Sequence, residues 1–99
     1  MSKDYFIYID TTDKDNKLVS LRKKDSTVEE ISGKIDIIST INNILLKHNL
    51  TLDKNIIEVV PNVGPGSFTG IKVGITIANA LNWQLKNGKQ FVPNYGKEP

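Results

Sequence analysis

One segment, Gly64-Pro65-Gly66-Ser67-Phe68-Thr69-Gly70, constrains this 99-residue chain more than any other. The apolar run Ile56-Ile57-Glu58-Val59-Val60 leads into it and is closed by Pro61, and a long apolar stretch leaves it, from Ile71 to about Lys86. Strand, glycine-rich loop and helix in close succession call for an α/β architecture, with the helix returning over a sheet. The loop itself has two readings. Unpaired N–H groups and the positive dipole end at a helix start suit an anion such as phosphate, with Ser67 or Thr69 as cap. Equally, the glycines permit a tight turn and a close approach of the helix to neighbouring backbone. Neither the Walker spacing nor the dinucleotide spacing is present.

Upstream, Tyr5-Phe6-Ile7-Tyr8-Ile9 reads as a strand buried on both faces and ending at Asp10. The polar segment from Thr12 to Asn16 is a turn, and Lys17 to Lys23 alternates as an antiparallel partner strand. A weaker strand follows around Thr27–Ile31, with Glu29 and Glu30 discouraging unwanted pairing at the sheet edge. Lys34–Asn49 has helical periodicity, and His48 is a structural or capping residue near its end. Asn87-Gly88 is expected to cap the last helix, Lys89–Val92 to add a fifth strand, and Pro93–Pro99 to form a loose tail. The expected product is one domain over 1–99, with a mixed five-stranded sheet, an antiparallel three-stranded meander and two main helices.

Composition removes several classes of function. With no cysteine and a single histidine, the chain offers no disulfide framework, thiolate zinc site, cysteine nucleophile or histidine-pair metal site. The net charge of +2 is nearly neutral, and Arg22-Lys23-Lys24 reads as the solvated end of a strand before an RNA patch. No apolar run approaches the roughly 18 residues of a membrane span, and the N-terminus lacks the pattern of a signal peptide. A soluble, cytoplasmic protein without membrane association is expected.

The loop and its continuation, Gly64-Pro65-Gly66-Ser67-Phe68-Thr69-Gly70-Ile71-Lys72-Val73-Gly74, resemble the signature of the TsaB (YeaZ-type) family. The opening Ile7-Tyr8-Ile9-Asp10-Thr11-Thr12 is similar to that family's first strand. The resemblance implies the N-terminal half of a ribonuclease-H-like, actin-like fold, here shortened to that half. It also implies a degenerate nucleotide or phosphate loop made of Asp10, Thr11, Thr12 and the residues from Gly64 to Gly70. By this resemblance the chain is no catalyst and holds no metal or resident cofactor. ATP or ADP would bind weakly at most, or be shared across an interface. The implied partners are a TsaD-type catalytic subunit and a TsaE-type ATPase acting in threonylcarbamoyladenosine formation on tRNA. The tRNA itself is contacted only indirectly, and the isolated chain is expected to be a homodimer. Ser32-Gly33-Lys34-Ile35-Asp36 departs from the family pattern at the start of the first helix.

The helices argue for a partner on their own account. Ile71, Val73, Ile75, Ile77, Ala78, Ala80, Leu81 and Leu85 cover most of the second helix, leaving a narrow polar sector into which Trp83 intrudes. A sheet and one neighbouring helix cannot cover such a surface completely, and Trp is a frequent interface anchor. The expected partner surface comprises Ile38, Asn42, Leu45, Ile71, Lys72, Ile75, Thr76, Asn79, Asn82 and Trp83. A minimal nucleotide hydrolase acting as a homodimer, through Asp10 and the loop near Gly66, is the rival reading. A homodimeric packing module without a tRNA role is another.

Overall fold

A computed structural model describes residues 3–94. Strands β1 (Tyr5–Asp10), β2 (Lys17–Lys23) and β3 (Ser26–Gly33) form the expected antiparallel meander. Helix α1 (Ile37–Lys47), a single turn α2 (Leu52–Asn55), strand β4 (Ile56–Pro61) and helix α3 (Phe68–Leu85) follow. The sheet order is β3-β2-β1-β4, with β4 parallel to β1.

Both long helices lie on one face of the sheet. Ile7, Ile9, Val19, Leu21, Ile56 and Val59 project from the strands into a core shared with Ile37, Ile41, Ile44 and Leu45 of α1 and Ala78 and Leu85 of α3. This corrects the reading of β1 as buried on both sides. Its isoleucines are buried, whereas Phe6 and Tyr8 alternate onto the other face and are half-buried. There the Arg22 guanidinium lies 4.7 Å from the centre of the Tyr8 ring and its Nε donates to Ser20 Oγ at 2.9 Å. A cation stacked on an aromatic shields this face in place of a helix.

Helix α1 starts at Ile37, later than its periodicity suggests, because the Asp36 carboxylate caps the Ser39 N–H at 2.9 Å. It ends as Asn49 turns into the left-handed region at φ +56°. His48 accepts the structural role expected of it: its Nε2 lies 2.6 Å from Glu29 on β3, and Lys47 Nζ lies 3.1 Å from the same carboxylate. The α3 cap differs from expectation. The left-handed residue that ends the helix is Lys86, at φ +56°, and Gly88, also left-handed at φ +75°, lies two residues beyond it.

The expected fifth strand is not formed; residues 88–94 carry no regular structure. The reason lies on α3. Asn82 is fully buried and its side chain occupies the outer edge of β4, accepting from the Val59 N–H and donating to the Val59 carbonyl, both at 2.8 Å. Asn87 donates to the Ile57 carbonyl at 2.9 Å and to Asn82 Oδ1 at 3.0 Å. Side-chain amides thus take the hydrogen bonds a fifth strand needs. The segment that was to supply it is held away by Asn79, which pairs with both backbone groups of Phe91. The Asn94 N–H is tied to the Val63 carbonyl at 2.6 Å, and the rest of the expected tail, 95–99, lies outside the described residues.

Candidate functional site

Parallel pairing of β1 with β4 brings the end of the first strand beside the glycine-rich loop. Thr11 is buried, and its hydroxyl donates to the Gly70 carbonyl at 2.5 Å. The approach requires glycine. A Cβ at Gly70 would stand 2.6 Å from the Thr11 carbonyl oxygen, and one at Gly74 would stand 2.6 Å from Thr11 Oγ1. The first turns of α3 therefore lie directly against the end of β1, the close approach that the loop's second reading foresaw. Ser67 provides the cap, its hydroxyl accepting from the Gly70 N–H at 3.3 Å; Thr69 does not.

Thr11, Thr12, Ser67, Thr69 and Gly70 line one open cleft of about 600 Å³, together with the turn residues from Asp13 to Asp15, Lys17 and Val73. Asp10 is not among the lining residues. Its Oδ1 accepts from the Thr12 N–H at 2.9 Å and the Thr12 hydroxyl at 2.7 Å, and its Oδ2 accepts from the Asn62 amide at 3.1 Å. Burial opposes its ionisation, but the hydrogen bonds from Thr12 and Asn62 outweigh burial and hold the carboxyl below its ordinary value of 3.8. Oδ1 thus closes the turn just after β1, and Oδ2 fastens the end of β1 to the segment after β4. Among the described residues no group of three His, Cys, Asp or Glu side chains converges on a common point. Gly64 (φ +104°) and Pro65 shape the loop, Gly66 packs toward the Thr12 methyl, and Phe68 turns away from the cleft.

The ten residues expected on a partner surface divide into two sets. Ile38, Asn42, Lys72, Thr76 and Trp83 are exposed. Leu45, Ile71, Ile75 and Asn82 face inward and are buried by the chain's own sheet and helices, while Asn79 is half-buried against Phe91. Two exposed apolar residues absent from that set, Val73 and Leu46, lie outward, Leu46 at 75% exposure. Phe68, Thr69, Lys72, Val73, Thr76 and Ile77 line an apolar groove of about 410 Å³ along α3, where the Lys72 ammonium lies 5.6 Å from the Phe68 ring centre. The signal for Val73 was its i+4 spacing from Thr69 and Ile77.

These features define a small α/β domain in which a strand end and a glycine-rich helix start are fastened together beneath an exposed helix face. A family model described as TsaD, tRNA N6-adenosine threonylcarbamoyltransferase, matches residues 34–93, and the chain belongs to that family. Solved structures share the fold, two of them from Pseudomonas aeruginosa. One is YeaZ from Pseudomonas aeruginosa, at a TM-score of 0.73 and 18% identity, covering 84% of this chain and 40% of that one. The other is an uncharacterized protein from Pseudomonas aeruginosa with similarity to peptidase YEAZ, at a TM-score of 0.76 and 18% identity, covering 92% and 44%. The chain therefore spans less than half the length of these structures. No curated protein matches the sequence. No helix among the described residues is long and apolar enough to cross a membrane.

Proposed function

We propose that this chain is a non-catalytic scaffold in the tRNA N6-adenosine threonylcarbamoyl-transfer system, an actin-like half-domain that docks a TsaD-type catalytic subunit. The observation that carries this reading is the outward face of α3. Phe68 is 58% exposed and Val73 42%, side by side in an apolar groove with Lys72 and Thr76 at its rim. Contiguous exposed apolar surface with a polar rim is the character of a protein interface. Exposed Ile38 on α1 adds to the same reading. The internal bonding of Asp10 supports a scaffold over a catalyst, because both carboxylate oxygens already serve the fold.

The test is to mix the chain with a TsaD from the same source and measure the mass in solution. A complex is expected, and Val73→Asp, which alters an exposed position, should weaken it at least about tenfold. A wild-type chain that stays uncomplexed at high concentration would sink the proposal. The cleft between Thr11 and Gly70 favours the rival hydrolase reading. Calorimetry with ATP and magnesium separates the two: binding followed by turnover supports the hydrolase, and absence of heat leaves the scaffold.

A further inference from the structure

At the other end of α3 the surface changes character. Trp83 is 82% exposed and borders a half-open cleft of about 630 Å³ between the last turn of the helix and the segment that follows it. That volume falls in the range of small-ligand sites, roughly 300–1,000 Å³. Asn79, Gln84, Lys86, Lys89 and Gln90 line the cleft with it, and no carboxylate does. Asn79 is committed to Phe91 and fixes the wall, whereas the side-chain amides of Gln84 and Gln90 have no hydrogen-bond partner among the described residues. Lys86 has no ion pair among them, and Lys89 has only a long one, 3.7 Å to Glu58.

We infer that this cleft binds single-stranded RNA, one base stacked on the Trp83 indole and its phosphates beside Lys86 and Lys89. The indole offers an open aromatic face for stacking, the two uncommitted carboxamides offer both donors and acceptors for a base edge, and the ammonium groups meet the backbone. A protein partner fits less well. Anchoring aromatics at protein interfaces sit within apolar surroundings depleted of lysine, and here the surroundings are amides and lysines. The inference extends the proposed function, since it adds direct RNA contact to a subunit otherwise assigned to docking. It uses residues distinct from Val73, so either assignment stands or falls alone.

Trp83 is the chain's single tryptophan, so its emission reports on this cleft and nothing else. Titration with a short single-stranded RNA at low salt should quench that emission saturably. Anisotropy of the same RNA carrying a fluorescein should give a matching isotherm. Trp83→Ala should weaken binding roughly five- to hundredfold, and Trp83→Phe should restore much of it. Lys89→Gln should lower the slope of log affinity against log salt by about 0.7. Circular dichroism of each variant verifies folding, which an exposed position should not disturb. RNA binding that leaves the emission and the Trp83→Ala affinity unchanged would place the RNA elsewhere, at Arg22-Lys23-Lys24 for instance, and overturn the assignment. Absence of binding at low salt would overturn it too. Equal affinity for AMP would replace the strand with a free nucleotide. Loss of RNA binding in Val73→Asp as well would show that the two surfaces are not separate.

Discussion

The sheet's two edges are finished by opposite means. At β4 the backbone groups of Val59 are both held by the buried Asn82 amide, and Asn87 holds the Ile57 carbonyl. At β3 nothing among the described residues pairs with the outer side, and that edge carries Glu30 and an exposed Val28. One edge is satisfied by specific hydrogen bonds from a helix, and the other is left to water and protected by charge. The first arrangement couples α3 rigidly to the sheet beneath the surfaces that carry the proposed functions. The second leaves β3 held by its ladder with β2 on one side and by the ties of Glu29 to His48 and Lys47 at the end of α1.

The strongest challenge to this contrast is Asn82→Ala. It strands a buried N–H and a buried carbonyl and should cost about 3 kcal/mol, lowering the melting temperature by roughly 15 °C. Thermal unfolding by circular dichroism measures it, and a loss below about 1 kcal/mol would mean that water closes the edge equally well. Native-state hydrogen exchange should also find the Val59 N–H among the slowest amides in the wild-type chain.

A smaller effect is expected at Glu29, and it depends on pH. The hydrogen bond from His48, followed by that from Lys47, holds this carboxyl below its ordinary value of 4.5. A carboxyl whose pKa falls on folding contributes stability above its unfolded value and loses it as pH drops through the folded one. Glu29→Gln should therefore be less stable than wild type near neutral pH and converge with it in acid. Urea midpoints at about pH 7 and about pH 3 test this, and a constant difference between the curves would show that the tie is not ionic. The smallest change in stability is expected for Glu30→Val, within about 0.5 kcal/mol. Its effect should appear as self-association by light scattering, because the charge that protects the open edge is gone. A variant that remains monodisperse would show that charge at this position is not what keeps β3 unpaired.

The four strands and two long helices were legible because apolar periodicity is local, as in Val19 and Leu21 of β2 or Ile37, Ile41 and Ile44 of α1. The missing fifth strand was not, since Lys89–Val92 looks suitable until Asn82, Asn87 and Asn79 compete for the same backbone groups across the fold. The family resemblance groups Thr11 and Thr12 with the loop, and they line one cleft with it, but the Asp10–Asn62 contact spans 52 positions and leaves no local trace. The facing of α3 was misjudged for a physical reason. A helix apolar nearly all round gives no clear direction, so the pattern alone leaves Ile71, Ile75 and Asn82 on an outward face, whereas the fold buries them. The stripe Gly70, Gly74, Ala78 held the answer, because small side chains at i+4 spacing mark the side that packs closest.

Pro61 closes the account of β4. The Asn62 N–H bonds to the Ile9 carbonyl, so the alternate positions Ile57, Val59 and Pro61 direct their backbones away from β1. The last of them has no hydrogen to give. Even a chain stripped of its asparagines would thus present an incomplete template to an incoming strand. At that end of the strand the ladder lacks one donor by covalent structure, whatever the side chains around it become.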